Sequence, residues 1–350
     1  QIYMASSWVE VPESSDFSIH NIPFGVFSPR PGLAARCGTA IGDSVLDLHA
    51  ISHLFLDIPD FNANHAFGQP SLNNFMSHTR SVWRAVRNRI IELLSLNGSD
   101  ALRKDNELCK QAFHDRASVT MHLPAVIGDY TDFYSSREHA LRVGSLFRDP
   151  ENALNPNWMH LPVAYHGRSS SIVVSGHPVR RPHGQLQKDR QDPKQGSVYG
   201  ATKALDYELE VGFFFGGPPT PVGSVLTMEE VEDRIFGLVL LNDWSARDIQ
   251  AWEYVPLGPF GAKNFATTLS PWVVTLDALE PFRCPTSAGT QDPPPLGYLQ
   301  DAAYGSYDVQ LEVWVQGRDM AGPERVAASN LANLYWSMRQ QLAHHAVTGR

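Results

Sequence analysis

Acidic side chains recur at every second position in Leu205-Asp206-Tyr207-Glu208-Leu209-Glu210-Val211. A strand sends alternate side chains to opposite faces. Asp206, Glu208 and Glu210 then share one face, and Leu205, Tyr207, Leu209 and Val211 share the other. Neighbouring carboxylates repel, and on a covered face each also loses hydration. A divalent cation relieves both costs. The alternative is a wet sheet face, which is the preferred reading of the similar alternation in Asp308 to Val313. Phe213-Phe214-Phe215 comes next, an apolar run expected of a strand covered on both sides.

Two further segments carry candidate chemistry. The apolar strand Ile235 to Leu241 runs into Asn242-Asp243-Trp244-Ser245-Ala246-Arg247-Asp248-Ile249-Gln250, where a helix begins. Asp243 stands at the strand's carboxyl end, where open sheets gather ligand sites. It could equally cap the helix. Arg247, Gln250 and Tyr254 fall on one helix face and suit an anionic, oxygen-rich ligand. A surface pair of Arg247 with Asp248 or Glu253 is the plainer alternative. In Gly128 to His139, Ser135 and Glu138 fit a capping box. His139 then lies in a helix's first turn, where the macrodipole disfavours its protonation. Asp132 and Tyr134 precede it, and Arg148 and Tyr165 are polar residues nearby. Asp132, Glu208, Glu210 and Asp243 together form an oxygen-only donor set suited to Mg²⁺ or Ca²⁺. HExxH, Walker A, GxGxxG and GxSxG patterns are absent.

These segments need a scaffold. The 350 residues are 43% hydrophobic and 19% charged, a globular composition. Such a chain buries roughly three quarters of its unfolded surface and suggests about two domains. Strands are expected over Phe24 to Phe27, Thr39 to Ile41 and Val45 to Leu48, with a turn at Gly42-Asp43. A helix capped by Ser71 should carry Phe75, Trp83, Val86, Ile90 and Leu94 to Asn97-Gly98. Arg80, Arg84, Arg87 and Arg89 lie mostly off that stripe and read as a solvated face. A second helix is expected from Asp100 to Phe113. The character changes near Pro124, dividing the chain into 1–123 and 124–350. The second part is strand-dominated: Ser171 to Ser175, Leu205 to Phe215, Ile235 to Leu241, Trp272 to Leu276 and Val309 to Val315. A last helix is expected from Ser329.

Net charge is −9, and no long basic run supports nucleic-acid binding. Three distant cysteines without a CxxC pair argue against a disulfide framework or zinc ribbon and for a reducing compartment. No apolar run is long enough to span a bilayer, and Glu10, Glu13 and Asp16 argue against a targeting signal at this end.

Met121-His122-Leu123-Pro124, Ile127 to Arg137, Tyr165-His166-Gly167-Arg168, Asn242 to Gln250 and Trp252 to Phe260 resemble the fumarylacetoacetate hydrolase family through nearly the whole chain. The resemblance implies a β-rich α+β fold, with a small SH3-like barrel followed by a mixed β-roll catalytic domain. It implies a cytoplasmic homodimer acting on a small diketo acid, with no nucleic-acid or membrane partner. The implied reaction is metal-dependent hydrolysis of 4-fumarylacetoacetate to fumarate and acetoacetate, the last step of tyrosine and phenylalanine breakdown. By motif, Asp132, Glu208, Glu210 and Asp243 are implied Ca²⁺ ligands, and Asp243, Lys263 and Thr267 the Mg²⁺-associated positions. His139 is the implied water-activating base. Arg247 and Lys263 support developing negative charge, and Tyr134, Arg148, Tyr165, Gln250 and Tyr254 meet substrate. The family pattern continues with segments not found before Arg350, so the chain reads as shortened and its β-roll as incomplete at the C-terminal end. The alternatives are an oxo-acid decarboxylase, isomerase or hydratase on the same scaffold, and a noncatalytic product.

Overall fold

The computed structural model describes residues 6–287 and 289–348. The expected Gly349 and Arg350 ending lies outside them. Near the N-terminus, Phe24–Ser28, Arg36–Ile41, Ser44–Asp47, Phe113–Asp115 and Thr120–His122 form a five-stranded antiparallel sheet. Its tight turn requires Gly42: φ is +55°, and a Cβ there would lie 2.3 Å from the Glu10 carbonyl oxygen. Further along, the strand Ile235–Asp243 is the axis of a second sheet. Leu209–Phe215, Thr267–Leu269 and Val274–Thr275 all pair with it antiparallel, and Ile172–Val174 runs parallel to Thr267–Leu269. Helices flank both sheets, giving the β-rich α+β class.

The halves are not packed separately. One hydrophobic core takes in Phe24, Phe75, Trp83 and Ile90 from the first and Phe236, Val239, Leu241 and Val273 from the second. Phe24 and Val273 exchange backbone hydrogen bonds of 2.9 and 2.8 Å, stitching the sheets together. Another core gathers Trp158, Ile235, Leu238, Tyr335 and Trp336. The Phe213-Phe214-Phe215 strand divides the two: Phe213 packs on the second core and Phe214 on the first. The double coverage stops at Phe215, which is 48% exposed.

Several expected elements are broken by local side-chain competition. The helix from Ser71 is two helices, Asn73–Met76 and Arg80–Leu94. The Ser77 hydroxyl donates to the Asn74 carbonyl at 2.7 Å, and Thr79 restarts the chain in an extended conformation. Asp105 caps a new helix, Asn106–Ala112, and so splits the segment expected as one. Ser136, not Ser135, caps Arg137–Phe147 by accepting from the His139 N–H at 3.3 Å. The last helix begins at Met338 behind a Ser337–Gln340 capping box. Ser329 instead belongs to a strand, Glu324–Asn330, in an exposed hairpin with Gln310–Val315. The expected Trp272–Leu276 strand yields at Leu276 to a short helix, Leu276–Leu279.

The arginine face is not simply solvated. Arg87 is buried and donates to the His20 carbonyl. Arg80 pairs with Glu232 at 3.2 Å and Asp233 at 3.1 Å, across to the second half. Among the described residues, no helix is long and apolar enough to cross a membrane.

Phe236 joins the two halves, with ring centroids 5.1 Å from Trp83 and 5.5 Å from Phe75. Phe236→Ala leaves a cavity where the sheets meet. It should cost about 3–5 kcal/mol, read as a lowered urea midpoint of the full chain.

Candidate active site

The strand Leu205 to Phe215 is interrupted at Tyr207-Glu208. Leu205–Asp206 pairs with Ser245–Ala246, and Leu209–Phe215 pairs with Ile235–Asp243. At the interruption the Glu208 N–H bonds to the Asn242 side-chain oxygen at 3.2 Å, while its carbonyl still accepts from the Asp243 N–H at 3.1 Å. Asp243 ends its strand opposite Thr267. The loop after helix Arg247–Glu253 returns Lys263 to the same place.

Glu208 is the hub. The Lys263 ammonium donates to Glu208 Oε2 and to Asp243 Oδ2. Arg247 Nη2 donates to Glu208 Oε1 at 2.5 Å, its Nε to Asp206 at 2.9 Å and its Nη1 to Gln250 Oε1 at 3.1 Å. His139 Nε2 stands 3.6 Å from Glu208 Oε1. Burial would push Glu208 up, but Lys263 and Arg247 outweigh it and hold the carboxyl at about 2. Burial lowers the His139 pKa, aided by Arg247 and Lys263 against Glu208, so the imidazole is kept neutral.

Asp132, Glu210 and Asp243 form a second group. Each offers an oxygen, and these oxygens all lie within 4.8 Å of one another. Burial, with mutual repulsion, pushes Glu210 well above the carboxylate range. Burial raises Asp132 to about 6 against Lys263 and Tyr165, and raises Asp243 to about 7 against Lys263. Three convergent carboxylates that resist ionising fit a hard divalent cation, which would supply the charge they lack. Glu208, expected as a fourth ligand, is outside this triad, with both oxygens engaged by Lys263 and Arg247. Lys263 is part of the charge balance, since an ammonium has no lone pair for a metal.

The remaining expected residues divide. Tyr165 pairs with Asp132 across the Thr131–Phe133 and Ala164–His166 strands. Tyr134 meets His139 edge-on at 5.6 Å, and its hydroxyl donates to the Ala140 carbonyl at 3.0 Å. Thr267 is buried beside Asp243. Arg148 is turned to the Ala153 carbonyl at 2.6 Å, outside the carboxylate cluster. Tyr254 caps the end of the Arg247–Glu253 helix. Sequence reading missed Tyr130, whose buried hydroxyl adjoins Thr267 without a well-formed hydrogen bond and feels Asp132, Glu210 and Asp243. Its place two residues before Asp132 was the available signal.

Family models place the chain in context. One described as fumarylacetoacetase N-terminal matches residues 20–124, and one described as fumarylacetoacetate hydrolase C-terminal matches residues 129–348. Human fumarylacetoacetase is 53% identical over 344 residues, covering 98% of this chain and 80% of its own. The Dictyostelium discoideum fumarylacetoacetase is 51% identical, covering 98% of this chain and 79% of its own. The chain spans about four fifths of the length of these relatives. A solved fumarylacetoacetate hydrolase from psychrophilic Exiguobacterium antarcticum shares the fold, with a TM-score of 0.50 and 16% identity over 94% of this chain and 81% of that one.

The raised carboxyls predict how a cation binds. Near pH 7 the ion-free triad retains protons that a cation must expel. Calorimetry with Ca²⁺ or Mg²⁺ in buffers of different ionisation enthalpy should show proton release at pH 7. Affinity should fall as pH drops from 8 to 6, because protons then compete more strongly. The cation should therefore raise Tm more at pH 8 than at pH 6.

Proposed function

The chain belongs to the fumarylacetoacetase family, and we propose that this site hydrolyses the carbon–carbon bond of fumarylacetoacetate to give fumarate and acetoacetate. The observation that carries the reading is the Glu208 hub, which sets a neutral imidazole beside two cations and an acidic triad. Family membership supplies the substrate, and the hub supplies the chemistry.

Asp132, Glu210 and Asp243 would hold the cation, with Ca²⁺ or Mg²⁺ suited to all-oxygen donors. When bound, the ion supplies Lewis-acid polarisation of the diketone. His139 accepts a proton from water, and the water oxygen bonds to the carbonyl carbon. Arg247 and Lys263 offset the negative charge that gathers on oxygen. As the C–C bond breaks, its electron pair leaves with the acetoacetate carbon, which then takes up a proton. Gln250, which accepts from Arg247, and Tyr134, beside His139, would orient the substrate. The working assembly we propose is a cytoplasmic homodimer.

The direct test is turnover by the purified chain with Ca²⁺ or Mg²⁺, using fumarylacetoacetate and oxaloacetate in parallel. Loss of fumarylacetoacetate alone is expected; turnover of oxaloacetate alone, or of neither, would overturn the reading. Asp243→Ala should abolish cation binding and activity together, and retained activity would sink the metal role. His139→Ala should lower kcat by about 10²–10⁴-fold with the fold intact. Because only neutral His139 accepts the proton, activity should fall as pH drops through its lowered pKa. With saturating cation, the acid limb of kcat/KM should lie below about 6.5.

A further inference from the structure

Helix Arg247–Glu253 carries two carboxylates that the mechanism above does not use. Neither pairs with Arg247. Asp248 accepts from the Thr202 hydroxyl and from the Lys203 N–H at 2.7 Å, on the segment leading to Asp206 and Glu208. Glu253 Oε1 accepts from the Phe260 N–H at 3.0 Å and the Ala262 N–H at 2.6 Å. The Ala262 peptide immediately precedes Lys263.

Glu253 is the last residue of its helix, where the macrodipole disfavours a carboxylate. Helix propensity therefore gives no reason for an acid there, whereas two charge-assisted hydrogen bonds to a returning loop do. Internal turns hold part of that loop: the Gly258 N–H donates to the Tyr254 carbonyl at 2.6 Å, and the Lys263 and Asn264 N–H groups donate to the Phe260 carbonyl at 3.1 and 2.8 Å. Leu257 is 93% exposed and Phe260 63%, so burial anchors neither. Its ties to the rest of the chain include the Ala246 N–H, which donates to the Ala262 carbonyl at 3.0 Å, the burial of Ala262 against Leu186, Ala246 and Ile249, and Arg168, 5.7 Å over the Phe260 ring. The first two fix the Ala262 end of the loop, and the third holds an exposed ring. Glu253 is the side chain that fixes two loop N–H groups, those of Phe260 and Ala262, through one atom. Lys263 must reach Glu208 and Asp243 together, so a small shift of its backbone breaks one contact.

We propose that Glu253 is a positioning residue for Lys263, tying the loop so that the ammonium meets Glu208 and Asp243 at once. The kinetic consequence rests on the catalytic reading of Lys263; the placement does not.

The test compares the full chain with Glu253→Ala and Glu253→Gln. Lys263 acylation by an amine-reactive reagent is followed by peptide mass spectrometry, alongside kcat and KM for fumarylacetoacetate. Lys263 is buried, so wild-type labelling should be slow. Glu253→Ala should speed labelling at Lys263 above that of the other lysines and lower kcat about 10–100-fold, with KM within about twofold, as expected for losing charge-assisted bonds. Glu253→Gln retains the accepting oxygen and should restore both readouts most of the way. Unchanged labelling in a folded Glu253→Ala overturns the proposal, as does Glu253→Gln behaving like Ala. Should Glu253→Ala fail to fold, Glu253→Gln decides: slow Lys263 labelling with near-normal kcat supports the tie, and fast labelling or misfolding overturns it. Faster labelling with unchanged kcat in the Ala variant upholds the placement and overturns the catalytic role of Lys263.

Discussion

A buried ammonium shared between two carboxylates governs this structure. Lys263 and its partners Glu208 and Asp243 are all nearly removed from solvent. Burying a charge costs several kcal/mol per ion unless good geometry offsets it, and removing one partner leaves the other uncompensated. The four acids do not share the compensation equally. Glu208 has Lys263 and Arg247 beside it and stays ionised. Asp243 shares only Lys263, and burial prevails. Among the described residues, neither Asp132 nor Glu210 forms an ion pair, and Lys263 only partly offsets their burial. The demand for compensation is therefore concentrated on the triad, which retains protons until a dication completes the balance.

That arrangement explains the demands on the scaffold. Its members come from the short strand around Asp132, the start of the strand at Glu210, the strand end at Asp243, the helix start at Arg247 and the loop at Lys263. A sheet edge alone would let these shift independently. Here the axial strand Ile235–Asp243 is packed between two cores, with Phe236 in one and Leu238 in the other. Close packing resists small displacements. The N-terminal sheet contributes no residue to the charged hub, but it supplies much of the core behind the strand that ends in Asp243. Arg80 adds an ionic tie through Glu232, which also meets Arg283 and Arg339.

Local patterns made part of this legible. Alternation at Asp206, Glu208 and Glu210 identified the acidic face, although the ladder breaks between the first and last of them. The strand-to-helix switch identified Asp243 and Arg247. Lys263 has no periodicity to mark it and entered only through family resemblance. The Glu232 network was illegible for a related reason: Arg80, Glu232, Arg283 and Arg339 are far apart along the chain, and each looks like an ordinary surface charge. Helix ends were misplaced where hydroxyl and carboxylate caps competed with the apolar stripe, at Ser77, Asp105 and Ser136. The exposed hairpin misled differently. Ala327, Ala328 and Ser329 suit helix or strand, and the partner Leu311 to Val313 decides.

Exposure along the line of contacts connects the charge balance to reactivity. The side chain of Asp243 is 2% exposed, those of Lys263 and Glu208 are 7%, and that of His139 is 39%. The permanent charges therefore lie in the low-dielectric interior, where their fields act strongly and need no reorganisation. The group that must exchange a proton with water lies at the rim. At 3.6 Å, Glu208 is too distant from His139 for a good hydrogen bond, but it is close enough to stabilise the imidazolium as the proton arrives. Moving His139 inward would deepen the suppression of its basicity and deny it water. Moving Lys263 outward would weaken the field it contributes. The site separates these roles by depth.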